Sequence, residues 1–153
     1  MTAGQSMPET QEARKMAIEI ADKCQRTAEW YTVKAAQALG TLQENWISTC
    51  RSADLRAPTA FRGKCEDLLT DCYVLRLRIV EQADNFSNAA KSRLPAIKLL
   101  AGSDAETRSL AEHALDHWNG SVHPLVMRLF DNVEKLEDSI RHTLDTVERE
   151  VSQ

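Results

Sequence analysis

Turn-forming residues are scarce: the 153-residue chain has five Gly and four Pro. Sandwiches and barrels need a turn roughly every 8–12 residues, so those classes are excluded. Aromatic residues are also few: Trp30, Tyr31, Trp46, Phe61, Tyr73, Phe86, Trp118 and Phe130. A core of Leu, Ile, Val and Ala with few rings suits a narrow bundle better than a thick globule. No apolar run approaches the roughly 20 residues that span a bilayer. Met1 to Thr10 is polar and lacks the basic and apolar regions of a signal peptide.

Catalytic signatures are missing as well. The sequence contains no G-x-S-x-G, no P-loop and no G-x-G-x-x-G, and no deaminase or kinase pattern. No enzymatic activity and no cofactor are expected. The four cysteines, Cys24, Cys50, Cys65 and Cys72, form no C-x-x-C pair, which removes the zinc-knuckle and thioredoxin signals. All four fall on apolar helical stripes, where a thiol behaves as a small hydrophobe. They are expected to be reduced and mostly buried, in a cytoplasmic setting.

What remains is rich in Ala, Leu, Glu, Gln, Lys and Arg, all good helix formers. Three stripes with steps of three or four residues each mark one helical face. The first is Ala13, Ala17, Ile20, Cys24, Ala28, Tyr31, Ala35, Ala38, Leu42, Trp46 and Cys50. It predicts a helix over 9–53, opened by Pro8 after a disordered lead at 1–8. Leu55-Arg56-Ala57-Pro58 breaks it, because Pro disfavours helix before itself and suits a helix start.

The second stripe is Phe61, Cys65, Leu68, Cys72, Leu75, Ile79, Ala83, Phe86, Ala90, Leu94, Ile97 and Leu100. Pro95 should kink this helix or split off its last turn, and Gly102 ends it. Ser103-Asp104-Ala105-Glu106 reads as a capping box. The third stripe is Leu110, Ala114, Trp118, Val122, Leu125, Leu129, Val133, Leu136, Ile140, Leu144, Val147 and Val151. It passes in phase through Asn119-Gly120 and Pro124, which favours one long, kinked helix. The alternative is four helices with a break near 119–121.

The predicted fold is therefore all-α: a single domain over 9–153, an elongated antiparallel bundle of three long helices. Helices of about 45 residues would each run about 65 Å at 1.5 Å per residue. Short connections make neighbours antiparallel. So thin a core favours self-association or a partner.

His113 and His117 stand four apart on one helical face, a spacing that can hold a metal. Levelling the helices about turns near 56 and 102 puts Cys24 beside Asp116 and His117. Nothing further supports a metal there: no H-E-x-x-H and no di-iron pattern is present. Two edge histidines beside a core cysteine is the preferred reading, and no metal is expected.

Charge is uneven, with balances of −1 over 1–55, +3 over 56–102 and −6 over 103–153, for a total of −4. Arg56 and Arg62 at the first turn could meet an acidic partner, although the acidic C-terminal end should offset them. Overall acidity argues against nucleic acid.

Large apolar residues also lie off the stripes. They are Trp30, Val33, Leu39, Ile47, Val74, Leu77, Val80, Leu115, Val126 and Phe130. Some widen a stripe, whereas Val33, Val74 and Leu77 should stay near the surface, and exposed apolar strips mark interaction surfaces. The expected interface is Val33, Val74 and Leu77, with Arg56 and Arg62. The expected function is a non-enzymatic scaffold, adaptor or chaperone-like protein that binds a protein partner or itself as a homodimer. The alternative is a peripheral lipid-surface or hydrophobic-granule binder. It would want large apolar residues and basic polar faces, against which stand an Ala-rich first stripe and an acidic third helix.

Overall fold

The computed structural model describes residues 7–54 and 56–152. Of these, 94% are helical, with no strand, and they form the all-α bundle of three long helices. The first helix covers 7–51, the second Pro58–Ala101 and the third 105–152. Residues 1–6 of the expected lead lie outside the described residues, as does Leu55 of the first connection. Met7 and Pro8 are already helical. No helix among the described residues is long and apolar enough to cross a membrane.

Pro58 opens the second helix, where its missing N–H leaves no intrahelical bond unmade. Pro95 does not end this helix. It lies on the exposed face with Lys91, so water can reach the carbonyl that the ring leaves without a donor. Gly102, at φ 57°, turns the chain into the left-handed region that closes helices. The cap that follows is one residue later than the capping-box reading. Asp104, not Ser103, is extended and accepts from the Thr107 amide at 3.4 Å and the Thr107 hydroxyl at 2.8 Å.

The third helix is not broken at 119–121. It carries a π turn at Trp118–Val122, in which the His123 amide donates to the Trp118 carbonyl five residues back. A π turn widens the helix by one residue. Here it lets Pro124 follow without clashing into the preceding turn. The first helix carries a second π turn at Trp30–Ala35. Both leave their mark on burial. The buried positions run Thr27, Tyr31, Ala35, Leu39 in the first helix and Ala114, Trp118, Val122, Val126 in the third. Three successive four-residue steps would carry a stripe about 120° round a regular helix. The extra residue of a π turn absorbs about 100° of that. Leu39 and Val126 are thus buried where Ala38 and Leu125 are only half-buried.

The chain divides into two compact units, one of residues up to 31 with 81–126, the other of 32–80 with 127–153. In the first unit, Met7–Glu29 and Ala105–His117 approach closely. Small buried residues, Ala13 and Ala17 on one segment and Ala111 and Ala114 on the other, allow this. The Cys24 thiol reaches the Ala114 carbonyl at 3.5 Å, and Arg14 pairs with Asp104 and Glu106 at 3.6 Å each. Phe86 stacks on Trp118 with centroids 4.2 Å apart.

The second unit has its own core of Leu39, Leu42, Phe61, Cys65, Leu68, Cys72, Leu75, Ile79, Leu129, Val133, Leu136 and Ile140. Trp46 and Phe61 meet at 6.5 Å. Arg62–Glu148 and Arg76–Glu137 run in opposite senses, so the second and third helices are antiparallel there.

Candidate interaction surface

Within the second unit, the second helix has two apolar faces. Phe61, Cys65, Leu68, Cys72, Leu75 and Ile79 point into the core. Tyr73, Val74, Leu77 and Val80 point out, exposed by 50, 43, 47 and 42%. Steps of one, three and three residues place these four on one side of the helix. Val74 also lines an open groove against the first helix, floored by Leu42 and Leu75 and rimmed by Lys34, Asp71 and Arg78. On the first helix Val33 is exposed by 60% and Ile47 by 49%.

Beneath this strip lies a buried charge network. Glu137 is almost fully enclosed. The Arg76 guanidinium holds it two-handed, Nε on Oε1 at 2.9 Å and Nη2 on Oε2 at 3.4 Å. The Arg141 Nη2 adds a third donor at 3.4 Å. Such charge-assisted, forked pairing is what makes a buried carboxylate tolerable. Arg76 also sits 5.3 Å over the Tyr73 ring, which links the buried network to the first residue of the exposed strip.

The structure thus brings Val74 and Leu77 together, with Tyr73 and Val80 added. Val33 is exposed on a different helix. Arg56 and Arg62 stand apart from the strip. Arg56 turns back on Asp54, its amide at 2.9 Å and its Nε at 3.2 Å from Oδ1. Arg62 pairs with Glu148 at 2.6 Å, the offset expected from the acidic C-terminal end. Tyr73, Arg76, Glu137 and Arg141 are not among the residues that the apolar stripes single out. A signal for the ion pair exists all the same: Arg76 fits the spacing Cys72-Arg76-Ile79, and Glu137 fits Val133-Glu137-Ile140.

Among the described residues no three His, Cys, Asp or Glu side chains gather as a metal site. His113 and His117 are exposed while Cys24 is buried, so the three do not converge. All four thiols are free. Burial pushes Cys65 and Cys72 up to about 11 each, and neighbouring acids add to the rise. Burial also raises Cys24. Cys50 departs from the expected burial: it lies in the exposed last turn of the first helix. Comparison of the chain with protein-family models, curated proteins and solved structures gives no match.

Proposed function

We propose that the chain is a non-enzymatic helical interaction protein that docks through Tyr73, Val74, Leu77 and Val80, with a second copy of itself as the first partner. The observation that carries this is the outward apolar face on a helix whose inward face already fills a core. Scattered surface apolars need no explanation, but a contiguous strip does. Fully burying a Val or Leu side chain contributes about 1.5–3 kcal/mol. Partial burial of four such residues is therefore a usable share of a docking energy. The charge network under Tyr73 supports the reading, because a docking face gains from being held rigid before it binds. The reading places the protein in the cytoplasm, which suits four free thiols.

Sedimentation equilibrium at micromolar concentration tests it, being insensitive to molecular shape. Self-association weakened in Val74→Ser/Leu77→Ser is expected. A wild-type monomer that neither associates nor captures a protein partner, but floats with liposomes, would instead support the lipid-surface reading.

A further inference from the structure

The first unit holds a groove that the docking strip does not use. It runs between residues 19–30 of the first helix and 82–93 of the second. Its space of about 430 Å³ lies within the range of small-molecule sites. Its walls carry three cations, Lys23, Arg26 and Arg93, against one carboxylate, Glu19. Two of the cations are committed: Arg93 to Glu19 at 3.3 Å, and Arg26 to Asp22. Lys23 makes no ion pair among the described residues and is half-buried.

One turn further along, Thr27 is 5% exposed and lines the same groove. Thr49, Thr70 and Thr146 each give their hydroxyl to the carbonyl four residues back, at 2.8–3.0 Å. The Thr27 hydroxyl has no hydrogen-bond partner among the described residues. A buried donor left unmade is costly, and a ligand oxygen in the groove would satisfy it. Lys23 and Thr27 are four apart, so their side chains share one face of the helix.

Trp30 closes the far end. Buried Tyr31 holds its ring edge-on, with centroids 5.1 Å apart at 81°. At 1.5 Å rise per residue, Trp30 stands about 10 Å along the helix from Lys23.

We propose that this groove binds a small aromatic monoanion. Lys23 takes the anionic group, Thr27 donates to it, and the ring packs against Trp30. A single uncommitted cation sets the charge at one, and the groove's space of about 430 Å³ admits a two-ring acid.

The test uses 2-naphthoate titrated into the full chain. The Trp30 indole N–H is followed by NMR and assigned with Trp30→Phe. A saturable shift is expected. Losing a charge-assisted hydrogen bond in Lys23→Gln should weaken binding about tenfold, while Lys23→Arg retains it. Thr27→Val should weaken it a few-fold. Neutral 2-naphthamide, of the same shape, should bind the wild type as poorly as naphthoate binds Lys23→Gln. Absence of a saturable shift at millimolar naphthoate would overturn the proposal. So would equal binding of acid and amide, a comparison that needs no variant to fold.

Discussion

Arg76 grips Glu137 with two nitrogens, and Glu137 is the one carboxylate among the described residues that is almost wholly buried. A pair of this kind contributes little over an apolar pair of the same volume, but breaking it strands a charge. Arg76→Met should therefore destabilise the fold by about 3 kcal/mol, with Arg141 relieving part of the loss. The double variant Arg76→Met/Glu137→Leu should recover most of it. Urea unfolding of the three proteins decides this; a double variant as unstable as the single would show that the pair matters for something other than charge.

The docking strip predicts the opposite behaviour. Val74 and Leu77 are exposed nearly by half, so Val74→Ser/Leu77→Ser should shift folding stability little. Surface changes away from special features stay within about 0.5 kcal/mol. Association should suffer instead. A fall in melting temperature with unchanged association would mean that the two side chains support the fold rather than a partner.

The thiols give a pH dependence. Cys65 and Cys72 are raised from 9.0 to about 11 because burial disfavours the thiolate. A raised acid contributes stability that is complete below its unfolded value and is lost as pH climbs through its folded value. Stability should thus fall between about pH 9 and 11, and Cys72→Val should flatten that fall. Thiol labelling at pH 8 should modify Cys50 first, since it alone is exposed. Labelling of Cys65 or Cys72 as fast as Cys50 would contradict their burial.

The three helices are legible in the sequence because apolar steps of three and four repeat through nearly all of it. The π turns are harder to see. A regular helix alternates three- and four-residue steps, so Ala38 and Leu125 read as core; the structure buries Leu39 and Val126. The local signals at 118–124 point three ways: Gly120 towards a turn, Pro124 towards a kink, the stripe towards continuity. A π turn reconciles them, and only packing around Trp118 selects it. The outward strip is half legible. Val74 and Leu77 stand out as off-stripe apolars, whereas Tyr73 is defined by Arg76, whose own partner lies 61 residues away. The helix cap misses by one residue because Ser103 and Asp104 are both competent caps, and the choice falls to the left-handed turn at Gly102.

The π turn in the third helix leads to a test by deletion. A π turn is equivalent to one residue inserted into an α-helix. Removing that residue should return a regular helix whose buried positions on either side keep their faces. Gly120 is the residue to remove. It is exposed, nothing lies within 4 Å of where its Cβ would stand, and Gly inside a helix costs about 1 kcal/mol relative to Ala. Deletion of Gly120 should fold with stability within about 1 kcal/mol of the wild type, the relieved glycine offsetting a 1.5 Å axial shift and the strain at Pro124. Deletion of Asp131, within the regular helix His123–Ser152, should instead rotate every later residue by about 100°. That takes Val133, Leu136 and Ile140 off the core and should unfold the second unit. Comparing the two deletions by circular dichroism and urea midpoint separates the cases. Equal damage from both would mean that the residues of the π turn carry packing that a regular helix cannot reproduce.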